Sequence, residues 1–218
     1  MLFARATKYG AGLTLWGDYY DLRAAYDTIG YFFDRSAIQY RLREHTMGLA
    51  HGIRLAYEGR WLQEQFGVDE VDRVTYRGAS FIWPLYLSQI ALVRQAAAYA
   101  PHGRREQALV HILEDSGRTA LIDYDPTVGT ECAAWIERPL VFPSDYLVSF
   151  LDYTARAYVS EGRAGKARFR KLPGVLHSFS PFSAEYKAYA DILQRKATEQ
   201  NCSPQELMET GEWPDFKW

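Results

Sequence analysis

Two cysteines in 218 residues, Cys132 and Cys202, are too few for a disulfide framework. Neither shares a spacing with a histidine or with the other cysteine that would make a zinc site. They read as reduced thiols. An excess of one charge is also missing. Lys plus Arg is 25 and Asp plus Glu is 27, a net charge of -2. That excludes a polycation that coats DNA, although not a local basic patch. Lysine itself is scarce, with 6 against 19 arginines. A GC-rich genome is favoured over function as the cause of that bias. A long apolar run is missing too. The longest, residues 81–100, is interrupted by Pro84, Gln89, Arg94 and Gln95. It is too polar to span a bilayer and reads as a buried core helix. Residues 1–12 carry Arg5 and Lys8 but no apolar stretch of the kind a secretory signal needs. A soluble cytoplasmic protein without a membrane contact is expected. There is no internal repeat, no strong catalytic motif and no metal motif, and no cofactor is expected.

What is abundant is aromatic. Sixteen Tyr, 11 Phe and 6 Trp make 15% of the chain, so some must reach the surface. Apolar residues at 48% and charged residues at 24% are ordinary for one sizeable core. Residues 12–16 alternate as a short strand. Leu22, Ala25, Ile29, Phe32 and Phe33 recur at helical spacing, which predicts a helix over 19–33 capped by Asp18. A second helix is predicted over 44–59. Residues 61–66 and 72–83 read as a hairpin. Pro84 then opens a central helix to about residue 99. Helices over 104–116, 129–137, 145–160 and 184–199 follow. Residues 119–123 read as a short strand or extended segment, 139–143 as a linker, and 161–182 as loop. Ser203-Pro204-Gln205-Glu206 reads as a helix start. This order predicts an α+β fold, a small antiparallel sheet packed against a mostly helical body. Residues 1–160 are expected to form the main domain. Residues 161–218, a basic loop and a C-terminal helical extension, are expected to pack on the same core.

Three segments carry a resemblance. They are Gly12-Leu-Thr-Leu-Trp-Gly-Asp-Tyr-Tyr-Asp-Leu22, His51-Gly-Ile-Arg-Leu-Ala-Tyr-Glu-Gly-Arg60 and Ser80-Phe-Ile-Trp-Pro-Leu-Tyr-Leu-Ser-Gln-Ile90. In order and spacing the chain resembles, over roughly residues 10–100, a family of uncharacterised bacterial proteins, a domain of unknown function. The resemblance implies a soluble bacterial protein. It brings no activity, cofactor or catalytic residue with it.

Five cations fall in ten residues: Arg163, Lys166, Arg168, Arg170 and Lys171. Glycines beside forked arginine donors suit an anion, and Phe169 between two arginines suits stacking on a base. Ser160 and Ala167 stand where a P-loop needs glycine and a hydroxyl, so this is not one. A solvated loop is the favoured reading, with phosphate or nucleic-acid contact the alternative. Asp18, Asp21 and Asp27 read as helix-start residues rather than metal carboxylates. His111, Glu114 and Asp115 share a helical face but form no metal motif. His45 and His51 share no helical stripe. His177, near Ser178 and Ser180, and Ser80 lack a nucleophile pattern. Trp213, Phe216 and Trp218 in the tail are expected to dock on their own domain or on another subunit. The functional expectation is a non-enzymatic interaction protein whose partner is itself or another protein. Nucleic-acid binding and an enzyme whose site is not visible in sequence are the alternatives.

Overall fold

The computed structural model describes residues 1–38, 40–67, 73–138, 146–161, 163–180, 182–204, 206–207 and 212–218. The fold is α+β. One four-stranded sheet, antiparallel throughout, carries a mostly helical body. The strands are β1 (Phe3–Ala6), β2 (Gly12–Gly17), β3 (Leu62–Phe66) and β4 (Val74–Ile82), in the order β1-β2-β4-β3. Strand β1 has no counterpart in the sequence reading. Its four residues are too few for a clear alternation. Pairing with β2 fixes it, with Phe3 opposite Trp16 and Arg5 opposite Thr14.

Period two divides the sheet into unlike faces. Leu13 and Leu15 of β2 stand beside Phe81 and Ala79 of β4. All four are buried in the main apolar cluster. Helices cover this face: α1 (Tyr19–Arg35), α2 (Tyr40–Tyr57), α3 (Trp83–Tyr99) and α4 (Arg104–Tyr124). Asp18 caps α1, its Oδ1 accepting from the Asp21 amide at 2.8 Å. Pro84 sits in the first turn of α3. Helix α3 is the centre of the body. Trp83, Tyr86, Leu92 and Val93 point in different directions around it, yet each is fully buried. Arg94, its one charged residue, forms a two-pronged pair with Glu114 of α4.

Two expectations fail for identifiable reasons. Residues 119–123 are the end of α4, not a strand. Leu113, Gly117, Ala120 and Leu121 continue one buried helical stripe, and the helix stops where Pro126 restricts Asp125. Asp125 then caps α5 (Pro126–Ala133), where 129–137 was expected. Residues 161–182 are not simply loop. After α6 (Leu147–Ser160) come two short helices, α7 (Lys166–Phe169) and α8 (Leu172–Ser178). Pro173 lies in the first turn of α8, a position proline tolerates. Phe169, Leu172, Leu176 and Phe179 keep near-helical spacing and join the main cluster. Helix α9 (Ala184–Gln200) is capped by Ser183 and closed by Asn201 at φ 51°. The linker 139–143 lies outside the described residues. At 203–206 the Ser203 amide donates to Glu206 Oε2 at 2.9 Å, but the described residues there form only turn.

Candidate functional site

The turn between β1 and β2 is tethered to distant parts of the chain. Thr7 closes it by exchanging hydrogen bonds with Gly12. Gly10 has φ 69°, and a Cβ there would lie 2.6 Å from the Gly165 carbonyl oxygen, so only glycine fits. The carbonyls of three successive residues each meet a donor from the C-terminal half. Lys8 accepts from the Tyr124 hydroxyl at 3.2 Å and Gly10 from the Tyr158 hydroxyl at 2.7 Å. Tyr9 accepts from the Gly165 amide at 2.7 Å and the Arg168 guanidinium at 3.3 Å. The Tyr9 amide donates to the Trp218 carbonyl oxygen at 3.1 Å. The turn therefore positions both α7 and the tail.

The outer face of the sheet carries Phe3, Arg5, Thr14, Trp16, Leu62, Glu64, Phe66, Val74, Tyr76 and Ser80, as the registers require. Toward one end, Phe66 packs on Phe3 at 5.6 Å, on Tyr76 at 4.9 Å and on Trp16 at 6.2 Å between ring centres. Arg5 lies 5.0 Å over the Phe66 ring and 3.6 Å from Glu64. Trp16 packs closely over β4 because Gly78 has no side chain: a Cβ there would come within 2.9 Å of the indole. Toward the other end the face opens into a groove of about 570 Å³. Its walls are Trp16, Trp61, Leu62 and Trp218. The hydroxyls of Thr14 and Ser80 meet at 2.9 Å within it, and Arg5 and Lys8 are its cations. Three of the six tryptophans converge here. A second hollow, about 630 Å³, runs along Asp191, Gln194, Arg195, Thr198 and Glu199. Polar residues of one helix line it, so it is an ordinary solvated surface.

The structure separates the cations of the basic segment. Arg168 turns inward and is 4% exposed. Its guanidinium donates to the carbonyls of Val159 at 2.9 Å, Lys217 at 3.0 Å and Tyr9 at 3.3 Å. Phe169 is fully buried against Trp83 and Tyr124, so it offers no face to a base. Arg163, Lys166, Arg170 and Lys171 are exposed, and Arg170 lies 4.0 Å from Asp125. The tail docks on its own domain. Phe216 packs against the core and on Trp218, with ring centres 4.9 Å apart. Trp213 lies 5.3 Å from the Arg156 guanidinium and stays 43% exposed. The groove joins residues from both ends of the chain. The unequal faces of Thr14-Leu15-Trp16 signal it in sequence, since Trp16 falls opposite the core leucines.

The buried His45 and Cys132 are held in unreactive states. His45 and Ser88 are buried and Asp152 is half-buried beside them, with His45 Nε2 3.1 Å from Ser88 Oγ and Nδ1 3.8 Å from Asp152. The Ser88 hydroxyl donates to the Leu85 carbonyl at 2.9 Å. Its oxygen is therefore left to accept from His45, the reverse of what a general base requires. Burial pushes the His45 pKa down to about 4, so the ring is neutral. Burial, with Glu131 beside it, pushes the Cys132 thiol up to about 12, which makes it inert. Glu114 is held by Arg94 and His111 together. Among the described residues no three His, Cys, Asp or Glu side chains gather as a metal site, and no helix is long and apolar enough to cross a membrane.

Fold and groove thus define an α+β protein with one helix-covered sheet face and one aromatic outer face. The chain belongs to the family described as a domain of unknown function, DUF6904, which it matches over residues 2–218. No curated protein and no solved structure matches it.

Proposed function

We propose that this chain is a non-enzymatic interaction protein whose working surface is the outer face of its sheet. One observation carries the reading. Trp61, Leu62, Val74 and Trp218 are each 42–47% exposed; Leu62 and Val74 lie on that face, and Trp61 and Trp218 border the groove that opens on it. Large apolar side chains gathered on one exposed surface mark an interface. Tryptophan and arginine are also the residues most often found at interface centres. The partner is another protein or a second copy of the chain. Strand β3 forms one margin of the face, and Glu64 at its centre disfavours pairing with its own copy there, because two carboxylates would meet.

Sedimentation of the wild type, of Trp61→Ala/Leu62→Ser and of Tyr99→Ser tests this. Tyr99 is exposed on α3, away from the sheet face. If the wild type self-associates, the double variant should dissociate and the Tyr99 variant should not. If the wild type is a monomer at high micromolar concentration, a photo-crosslinker at position 62 should capture a partner from host extract that one at position 99 does not. Equal results at the two positions would refute the assignment of the face.

A further inference from the structure

The walls of the groove differ from those of a general protein interface. Trp16, 8% exposed and packed over Gly78, lies at the base of the groove, with the more exposed Trp61 and Trp218 at its sides. Indole faces bind flat rings by stacking. The groove is open to solvent, and its volume of about 570 Å³ falls within the roughly 300–1,000 Å³ of sites that take a small molecule. The lining is mainly apolar, with few polar groups. Those groups are the paired hydroxyls of Thr14 and Ser80, the cations of Arg5 and Lys8, and Thr7, whose hydroxyl is taken up by Gly12. Among the described residues no acidic side chain lines it. Glu64, on the same face, is engaged by Arg5. Lys8 has no carboxylate within ion-pair distance among the described residues; its ammonium lies 5.4 Å from the Tyr9 ring. Lys217 adds a further cation on the same tyrosine, at 5.7 Å. Aromatic walls with a cationic rim complement a flat ring bearing a negative group.

We infer that the groove is a binding site for a small planar aromatic anion, one or two fused rings carrying a carboxylate, sulfonate or phosphate. The ring lies between the exposed indoles of Trp61 and Trp218, above Trp16. The anion faces Lys8 and Arg5, and a polar ring substituent meets the Thr14–Ser80 pair. This rests on the reading of the outer face as the working surface and adds a ligand to it.

Matched fluorescent probes test the inference on the intact chain. Anilinonaphthalene sulfonate is the aromatic anion, and the uncharged phenylnaphthylamine is nearly the same ring system without the charge. The sulfonate should saturate at one equivalent and bind about tenfold more tightly than the uncharged probe, the size of one charge-assisted contact. Lys8→Gln/Arg5→Gln should bring the sulfonate down to the affinity of the uncharged probe and leave the latter unchanged. Trp61→Ala, at an exposed position, should weaken both. Melting curves establish that each variant is folded. Equal affinity for the two probes in the wild type would overturn the aromatic-anion assignment. If Trp61→Ala still weakened both, the face would survive as an apolar contact surface. Probe binding unaffected by Trp61→Ala would remove the face itself. A single-stranded oligothymidylate that displaces the sulfonate at far lower concentration than thymidine monophosphate would make the occupant a nucleic-acid strand and overturn the small-ligand assignment.

Discussion

Arg168 is a cation taken out of water with three carbonyls and no carboxylate as partners. Among the described residues it has no ion pair, and its Nε is buried without a hydrogen bond. Truncation to alanine removes all three contacts at once. A hydrogen bond from a charged donor contributes about 1.5–3 kcal/mol. Two here have good length and the third, at 3.3 Å, is weak. Two effects reduce the sum. The cost of burying a cation disappears, and the tail carbonyl of Lys217 can recover water. The net loss should be about 3 kcal/mol, near the upper end for a single substitution. For a chain of this length that lowers the melting temperature by roughly 6–12 °C. Arg170→Ala and Lys171→Ala are the internal controls. Both side chains are exposed, so each should cost about 0.5 kcal/mol or less and shift the melt by no more than about 2 °C. Arg168→Lys should recover less than half of the loss, because one ammonium cannot span three carbonyls. Thermal melts followed by circular dichroism give the shift. Limited trypsin digestion gives a second readout, since freeing the tail should expose the bond after Lys217. If Arg168→Ala melts with Arg170→Ala and its tail stays protected, the inward arginine does not hold the tail and the reasoning fails.

Two further outcomes follow from the core. Ile90 is 1% exposed at the middle of α3, so Ile90→Asp buries an unpaired carboxylate and should cost about 3 kcal/mol or more in urea unfolding; a wild-type midpoint would make α3 peripheral. His45, held neutral by burial with a pKa near 4, makes stability depend on pH. Below its ordinary pKa of about 6.5 the unfolded chain takes up a proton that the folded chain refuses. This stability is therefore complete above that value and lost as the pH falls toward 4, about 2 kcal/mol of it between pH 6.5 and pH 5. Asp152, 3.8 Å from His45, has its pKa raised by burial against the pull of Arg156 and works in the opposite sense, but in the carboxylate range. Urea titrations across that window should show the slope in the wild type and a flatter one in His45→Gln; identical slopes would refute it.

The parts of the fold that were legible in sequence are those where one physical signal acts alone. The stripe from Leu22 to Phe33 behind the Asp18 cap marks α1 without ambiguity. The mainly apolar run after Pro84 marks the central helix. Where two signals compete, local reading goes astray. Thr119 and Ile122 favour a strand, but Leu113, Gly117, Ala120 and Leu121 already commit the segment to a helix packed on the body. Glycines and prolines in 161–182 read as breakers, although Pro173 starts a helix and Gly165 precedes one. Arg168 and Arg170 look equivalent in a run of cations, and α7 is too short to show a periodic face. Their opposite fates are decided by carbonyls of Tyr9, Val159 and Lys217, which no local pattern reveals. The groove is hidden for the same reason, since Trp16 and Trp218 meet only in space.

The turn of Lys8, Tyr9 and Gly10 sets an order of assembly for the molecule. Its donors come from 116, 148 and 159 positions further along the chain. Contacts of such separation are slow to form, because the intervening chain must be gathered before they reward it. A chain made only as far as Tyr124 already has all four strands, and every groove residue except Trp218. It has the first of the three hydroxyl and guanidinium anchors and none of the other two. In a nascent chain the sheet can pair early, while the groove waits on Tyr158, Gly165, Arg168 and the tail. Completion of the groove thus depends on contacts from the far end of the chain, and a product ending at Tyr124 would lack Trp218 and the anchors at Tyr158, Gly165 and Arg168.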